Sequence, residues 1–210
     1  MVYMARQSHG AHSSIEQLRK PVSWVFAILF LCAFAFTTAP KPVWGAVMCE
    51  AMGLLCVVAG GLGRLWCMLH IAGHKNTALQ IGGPYSVSRN PLYFFSFMAL
   101  LGVSVYSQKI LLALIVTAIY LIYYEFVIAG EEKRLTKLFG KPYENYLKSV
   151  PRFWPNLSLY KTPDVVQVDP KLMIKASADV VWFYMIIVLL DAIDRLQVAG
   201  ILPLMYQWPF

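Results

Sequence analysis

The feature that most constrains the fold of this chain is a series of apolar runs, because each is about as long as a bilayer is thick. A transmembrane helix needs roughly 20 mostly apolar residues to cross about 30 Å of hydrocarbon. With 59% of its 210 residues hydrophobic and only 14% charged, the chain has more apolar surface than a soluble domain of this size encloses. We therefore predict an all-α, polytopic membrane protein with about five transmembrane helices, built as a single domain over residues 1–210. The predicted spans are Val22–Thr38, Val43–Cys67, Pro91–Ser107, Ile110–Gly130 and Asp179–Leu202.

The distribution of basic residues predicts the orientation. Of the 18 Lys and Arg residues, all except Lys41, Lys109 and Arg195 lie in the N-terminal tail or in segments 64–90 and 131–178. Because Lys and Arg are retained on the cytoplasmic side, we expect a cytoplasmic N-terminus and a C-terminus on the opposite side. The net charge of +7 therefore indicates topology and contact with anionic membrane lipids, and we predict no nucleic-acid partner.

The cysteines and histidines do not form a metal-binding pattern. His70 and His74 are four residues apart, a spacing that can serve a metal, but no third ligand is evident near them. We interpret them as polar residues at the membrane interface and predict no metal site. The four cysteines lack close-paired spacing and fit small buried apolar positions; they are Cys32, Cys49, Cys56 and Cys67.

The segment GGPYSVSRNPLY, residues 82–93, differs from the apolar runs on both sides of it. Its glycines and first proline break any preceding helix, and Asn90-Pro91 begins the third span. Between these breaks lie several hydroxyls, an amide and Arg89, whose planar guanidinium suits a carboxylate. Taken singly, Tyr85, Tyr93 and Arg89 fit interfacial anchors. Together with the second block described next, they indicate a binding site.

The second block, EEKRLTKLFGKPYENYLKSVPRFWP, begins at Glu131 and places two acids before a mixture of helix formers, aromatics and prolines. This composition predicts a short amphipathic helix and a folded turn at the membrane surface. Residues 164–178 fit either a strand or a helix that carries Lys171 and Lys175 to the lipid headgroups, and the sequence does not decide between them.

The two blocks together resemble the integral membrane methyltransferases that include the isoprenylcysteine carboxyl methyltransferases and the phospholipid N-methyltransferases. GPYSVSRNPLY is similar to the family's G-x-Y-x-x-x-R-H/N-P-x-Y, and EEKRLTKLFGKPYENYLKSVPRF is similar to its E-E-x-x-L-x-x-x-F-G-x-x-Y-x-x-Y-x-x-x-V-P. The distance from Arg89 to Glu131 also fits the family, and the resemblance covers roughly residues 60–155.

The resemblance implies S-adenosylmethionine as the methyl donor, held at the cytoplasmic end of the bundle, and a lipophilic or lipidated acceptor that enters from the membrane. It implies Glu131 as the acid that contacts the cofactor, whose amino group suits a carboxylate and whose carboxylate suits Arg89. These two residues and Glu125, the charged span residue closest to the presumed reaction site, are the candidate catalytic residues, with His74 a candidate neighbour of the cofactor. The candidate cofactor-binding residues are the backbone of Thr77, Ala78, Leu79 and Gln80, the pocket positions Tyr85, Asn90, Pro91, Leu92 and Tyr93, the acids Glu131 and Glu132, and the glycines Gly61 and Gly63.

Several of these positions have a structural interpretation beside the functional one. Gly61 and Gly63 lie in the second span, where small residues also permit close helix packing, so both roles stay open. Glu50 and Glu125 fit either a polar path for the acceptor or hydrogen bonds between helices. Arg195 is four residues after Asp191 and pairs with it in this interpretation.

One departure from the family bears on the acceptor. The carboxyl methyltransferase branch places an arginine four residues before the acid that aligns with Glu131, and this chain has Val127 there. This departure, and RNP in place of RHP, argue against a prenylcysteine carboxylate as the acceptor. On the resemblance as a whole we predict methyl transfer to a lipophilic acceptor, like that of the isoprenylcysteine enzymes, with methylation of an amine headgroup as the alternative. A non-catalytic transport or lipid-binding protein is the alternative from another class. The sequence names neither the methylated atom nor the oligomeric state.

Overall fold

The computed structural model describes residue 25 and residues 28–38, 43–71, 78–163, 165–166, 168–202 and 206–207. Helices account for most of the described residues, as the sequence predicts. The helices are α1 (28–35), α2 (Val43–Ile71), α3 (Pro84–Val87), α4 (Pro91–Tyr106), α5 (Ile110–Phe139), α6 (Lys141–Ser149) and α7 (Pro170–Val198). A 3-10 turn at Leu157–Leu159 and a parallel pair of two-residue strands, β1 (Thr37–Thr38) and β2 (Tyr206–Gln207), complete the described elements.

Three described helices are long and apolar enough to cross a bilayer, namely α5, α7 and residues Gly45–Ile71 of α2. Helix α4 is apolar as well but has 16 residues, which is shorter than the roughly 20 that a perpendicular span needs. The first predicted span falls only partly within the described residues, where 28–35 are helical. The protein is an integral, multi-pass membrane protein of the all-α class.

Two helices extend beyond the bounds that apolarity predicts. Helix α5 does not end with its apolar run at Gly130 but continues to Phe139, because the Glu, Lys, Arg and Leu residues that follow are strong helix formers. At its end Gly140 has a φ of 60°, a conformation that glycine adopts without strain, and α6 begins at the next residue. Helix α7 begins at Pro170, which settles residues 170–178 as helix.

The chain forms two compact units. The first, here called the site unit, contains the described residues of Gly60–Ser96 and Tyr123–Val180; the second contains those of Ala11–Ala59, Phe97–Ile122 and Val181–Phe210. Both sequence blocks belong to the site unit.

In the second unit the backbones of α2 and α4 approach each other at two glycines. A Cβ atom on Gly53 would lie 2.7 Å from the carbonyl oxygen of Gly102, and a Cβ on Gly102 would lie 2.6 Å from that of Gly53. Only glycine permits this approach, which small residues commonly provide between membrane helices. The apolar core of the same unit is formed by Phe30, Phe34, Val57, Val103, Leu112, Ile187 and Leu190.

Polar side chains in the second unit cap the end of α1. The Lys109 ammonium donates to the carbonyl oxygen of Phe34 at 2.6 Å and to that of Thr37, and the Gln197 amide donates to the carbonyl of Ala35 at 2.7 Å. The last carbonyls of a helix lack partners within it, so these donors stabilise the helix end. Lys109 is therefore buried rather than part of a solvated turn.

Two further polar pairs join residues of the second unit. Gln108 donates to Glu50 at 2.8 Å, and Arg195 pairs with Asp191 at 2.8 Å, as the spacing of the latter pair predicts. Of the cysteines, Cys67 is buried, whereas Cys32 is exposed, so the expectation that Cys32 packs inside the protein is wrong.

Candidate functional site

The first block is held in place by a segment that follows α6. We call residues 151–161 the strap, because this segment runs antiparallel to residues 83–90 and is joined to them along its length. The bonds are Arg89 N to Pro151 O, Asn90 Nδ2 to Arg152 O, Ser88 Oγ to Phe153 O, Asn156 N to Val87 O, Lys161 N to Ser86 Oγ and Gly83 N to Lys161 O, all between 2.9 and 3.0 Å. Because buried polar groups need such partners, the strap and the first block form one continuous structure.

The turn at the start of the first block is fixed from two sides. Gly83 has a φ of 57°, and the His70 ring packs so closely on it that a Cβ would lie 2.2 Å from the imidazole Nε2. The other ring nitrogen of His70 lies 2.9 Å from the carbonyl oxygen of Trp66. His70 therefore has a packing role in the site unit. Among the described residues, no group of three His, Cys, Asp or Glu side chains is arranged to hold a metal ion.

Glu132 lies between two arginines that come from different parts of the sequence. Its Oε1 is 3.2 Å from an Arg89 terminal nitrogen, and its Oε2 is 3.3 Å from the Arg152 Nε. The side chains of Arg89 and Glu132 are 13% and 17% exposed, so water screens this pair only partly. Of the two acids that the sequence assigned to the cofactor, Glu132 is therefore the one that contacts Arg89 in the structure.

The hydrogen-bonding capacity of this ion-pair cluster is not exhausted. The buried Arg89 Nε, Arg152 Nε and Glu132 Oε1 have no well-aligned hydrogen-bond partner within the described part of the chain. Buried polar atoms without partners are rare in folded proteins and commonly mark a place for water or a ligand. The cluster therefore offers donors and an acceptor to a polar molecule.

Glu131, the other acid of the pair, is held by residues from both blocks. The Tyr93 hydroxyl donates to its Oε2 at 2.7 Å, and Arg134 lies 3.5 Å from its Oε1. Tyr93 is in the first turn of α4, and Glu131 is on α5. The contact therefore ties the start of α4 to α5 at the point where the apolar run of α5 ends.

Glu125 is the outermost of the predicted catalytic residues. It pairs with Arg152, but its side chain is 61% exposed. The same arginine thus contacts Glu125 and Glu132, so the two acids are linked through it. The structure brings Glu125 to the edge of the cluster and not to its centre.

The short segment before the first block is described from Ala78 onward. Ala78 and Leu79 are buried and Gln80 is half-buried. Leu79 packs against Tyr143 and Tyr146 of α6. The predicted contact Thr77 and the predicted neighbour His74 lie outside the described residues.

Two tyrosines of α6 hold this helix against the first block and the residues before it. Tyr146 donates from its hydroxyl to the carbonyl oxygen of Tyr85 at 2.6 Å. Burial raises the pKa of the Tyr85, Tyr143 and Tyr146 hydroxyls, so all three are neutral donors at physiological pH. Tyr85, a predicted pocket residue, is itself buried, and its ring lies inside the site unit.

The remaining pocket positions lie at the start of α4. Asn90 is buried, and its carbonyl accepts the Tyr93 and Phe94 amides at 3.1 Å, which starts the helix. Pro91 follows as the first helical residue, where a missing N–H costs nothing. Leu92 is half-buried. These residues are close to the acids of α5 through Tyr93.

The two glycines of the second span are both buried in the site unit. Gly63 faces the ring of Phe95, and a Cβ on Gly63 would lie 2.1 Å from the Phe95 Cδ1. This contact supports helix packing as the role of Gly63. It does not bear on Gly61, for which both interpretations remain.

Val127 occupies the place where the carboxyl methyltransferase branch has an arginine. It is buried and packs with Tyr93, Ile128 and Phe153. The site unit instead receives an arginine from the strap, Arg152, which the sequence analysis counted only as a topology signal. Its position directly after the V-P of the second block was the signal that would have identified it.

Comparisons with known proteins show what the chain is similar to. The sequence model of the phospholipid methyltransferase family matches residues 42–142, a range that holds the first block and both acids. The nickel-cobalt-cadmium resistance protein NccN of Alcaligenes xylosoxydans xylosoxydans is 32% identical over 160 residues, which are 76% of this chain and 75% of NccN. The cobalt-zinc-cadmium resistance protein CzcN of Cupriavidus metallidurans is 31% identical over 159 residues, which are 76% of this chain and 73% of CzcN.

No solved structure matches the chain significantly. The family match covers the region in which Arg89, Tyr93, Glu131 and Glu132 meet, and the two relatives match most of the chain. On these grounds the chain belongs to the phospholipid methyltransferase family of integral membrane proteins.

Proposed function

We propose that the protein transfers a methyl group from S-adenosylmethionine to a lipophilic or membrane-associated acceptor. The observation that carries the proposal is the meeting of the two sequence blocks, through the Arg89–Glu132 ion pair at 3.2 Å and the Tyr93–Glu131 hydrogen bond at 2.7 Å. Were these segments on separate parts of the protein, the resemblance would lack a common site.

The side chains of this cluster fit the polar groups of the cofactor. S-adenosylmethionine carries an α-amino group that suits a carboxylate and an α-carboxylate that suits an arginine. Glu131 and Glu132 offer carboxylate oxygens, and the Nε atoms of Arg89 and Arg152 are buried donors with spare capacity among the described residues. The aromatic rings of Tyr93 and Tyr124, whose centroids are 5.0 Å apart, provide apolar surface next to Glu131.

When bound, the cofactor supplies the activated methyl group. The contribution of the chain is to orient the reactants and to exclude water, which is the main source of rate in an in-line methyl transfer. In this proposal Tyr93 fixes the rotamer of Glu131, and Arg89 with Arg152 fixes that of Glu132. The strap holds the backbone of residues 88–90 and with it the position of Arg89.

The ion pairs of the cluster bear on whether the acceptor is an amine or a carboxylate. A carboxylate acceptor, as in the isoprenylcysteine branch, needs a cation of its own, and in this proposal Arg89 and Arg152 are engaged by Glu132 and by the cofactor carboxylate. The position of the branch's additional arginine is the buried Val127. These two observations favour an amine headgroup over a prenylcysteine carboxylate, because an amine needs a carboxylate nearby and no further cation.

We also propose that the site unit faces the cytoplasm, since the segments that flank its helices carry most of the basic residues of the chain. The N-terminus then lies in the cytoplasm and the C-terminus on the opposite side.

The test is the affinity of the purified protein in detergent for S-adenosylmethionine, measured by isothermal titration calorimetry. We expect Glu131→Gln and Arg89→Ala each to weaken binding about tenfold to a hundredfold, the cost of roughly one charge-assisted hydrogen bond. The matched control is Glu144→Gln, which removes an exposed carboxylate from α6 and should leave the affinity unchanged. Equal affinity in all three variants would rule out the assigned site.

The relatives are named for metal resistance, which favours a second candidate, a non-catalytic membrane protein that acts on metals. Under this alternative the purified protein would show no affinity for S-adenosylmethionine, and Glu131→Gln would leave metal resistance of the cells unchanged. Under the methyltransferase proposal, incubation of membranes with isotope-labelled S-adenosylmethionine gives a labelled lipid or lipidated product that mass spectrometry identifies.

A further inference from the structure

The outer side of the strap exposes large apolar side chains that lie outside the long apolar helices. Trp154 is 65% exposed, Leu157 is 77% exposed and Tyr160 is 46% exposed. A large exposed patch of this kind on a folded segment marks a surface that contacts a partner or a membrane. We call Trp154, Leu157 and Tyr160 the strap patch.

The strap patch belongs to an ordered segment. The opposite edge of the strap is bonded to the first block from Gly83 to Asn90, and the turn that carries Leu157 is capped by Asn156, whose Oδ1 accepts from the Ser158 amide at 3.1 Å. The patch is therefore presented in a fixed orientation.

Ring contacts fix the level of the patch along the spanning helices. Trp154 packs edge-on against Phe94, with centroids 6.0 Å apart, and Phe94 is in the first turn of α4. Tyr160 packs against Trp66, with centroids 6.0 Å apart, near the end of α2 at Ile71. The patch thus lies beside the ends of two apolar helices.

The composition and charge around the patch fit that level. Trp and Tyr are enriched at membrane interfaces because an apolar ring and a polar edge are both accommodated there. The exposed Lys161 follows the patch directly in the chain, whereas Lys171 and Lys175 in the first turns of α7 alternate with Asp169 and Asp179. A lysine directly beside the patch is attracted to anionic headgroups.

We propose that the strap patch docks on the bilayer interface, with Trp154, Leu157 and Tyr160 inserted at the level of the glycerol backbone and Lys161 at anionic headgroups. The partner is a lipid surface and not a second protein, because the patch adjoins the ends of apolar helices, combines Trp and Tyr with a leucine, and is followed directly by a lysine. The proposal does not depend on methyl transfer.

The test measures the depth of Leu157 in liposomes that contain anionic lipid. Cys32, Cys49 and Cys56 are replaced by Ser, while Cys67 is buried and stays, and a nitroxide is attached at Leu157→Cys. The matched control carries the label at Asn145→Cys, an exposed position on α6.

Collision with oxygen, which partitions into the bilayer, is compared with collision with a water-soluble nickel chelate. We expect oxygen to dominate at position 157 and the chelate to dominate at position 145. Chelate accessibility at position 157 equal to that at 145 overturns the proposal, and so does protection of 157 that appears only when a second protein is added.

A second measurement needs no label. Quenching of tryptophan fluorescence by brominated lipids is compared between the full chain and Trp154→Phe. We expect the fluorescence lost in the variant to be the component quenched by bromines near the headgroup end of the acyl chain. If this component is instead quenched by aqueous iodide and not by the brominated lipids, Trp154 is in water and the docking is refuted.

Discussion

Replacing Gly63 by alanine tests whether this residue serves helix packing or the cofactor. A Cβ at this position would lie 2.1 Å from Cδ1 and 2.3 Å from Cε1 of the Phe95 ring, well inside van der Waals contact, so the ring or the helix must move. Overpacking of this kind costs about 1–3 kcal/mol. Removing a glycine from a helix interior offsets roughly 0.5–1 kcal/mol of that. The expected net loss for Gly63→Ala is about 1 kcal/mol, within a range of roughly 0–2.5 kcal/mol.

The assay is thermal unfolding in detergent, combined with a double-mutant cycle between Gly63→Ala and Phe95→Ala. If the clash with Phe95 causes the loss, removal of the ring relieves it, and the double variant is more stable than the sum of the two single changes predicts. Gly130→Ala is the control, because nothing lies within 4 Å of its added Cβ and alanine favours the helix. A Gly63→Ala variant that is as stable as the parent and uncoupled to Phe95, but binds S-adenosylmethionine more weakly, would refute the packing argument.

Three further predictions concern the two units. Gly102→Ala is expected to lower the unfolding temperature, because the new Cβ would lie 2.6 Å from a backbone oxygen that cannot rotate away. Gly130→Ala is the control, and equal unfolding temperatures of the Gly102→Ala and Gly130→Ala variants would contradict the α2–α4 contact. Tyr146→Phe deletes the 2.6 Å bond to the Tyr85 carbonyl and should cost about 1–3 kcal/mol in chemical denaturation, and a loss near zero would show that this carbonyl finds another donor. Burial raises the pKa of Tyr143 and Tyr146, so above a pH of about 10 the unfolded chain loses protons that the folded protein keeps. The contribution of these two hydroxyls to the free energy of unfolding is constant below that pH and should fall as the pH rises above it. The melting temperature should fall less steeply with rising pH in Tyr143→Phe than in the parent protein. An unchanged slope of melting temperature against pH would count against this cause.

The sequence predicted the parts of the site that depend on local composition. Glycines and prolines ended and began helices where expected, so that α4 starts at Pro91. The two blocks identified Arg89 and the acid pair, and the structure brings them into one cluster. The roles of these residues toward the cofactor stay a prediction.

Other features were not visible in the sequence because they depend on which distant residues meet. The sequence directed Arg89 and Glu131 to one ligand, but helical geometry turns Glu132 toward Arg89 and Glu131 toward Tyr93. Arg152 reaches the cluster because the strap runs back along the first block, a contact that the local sequence does not reveal. That the predicted fourth span and the helical residues after it form one continuous helix, α5, was also not visible, because apolarity marks the membrane and not the end of a helix.

The sequence by itself determined that the protein lies in a bilayer and that its fold is helical. Apolar runs of this length need a bilayer around them, and within a bilayer a single apolar segment satisfies its backbone hydrogen bonds by forming a helix. The sequence also determined which two blocks carry the polar chemistry. Only the tertiary structure decided how that chemistry is paired. Ion pairs and close glycine contacts depend on distances of a few ångströms between segments far apart in the chain, and such distances are set by packing and by long-range hydrogen bonds, not by the local pattern of residues.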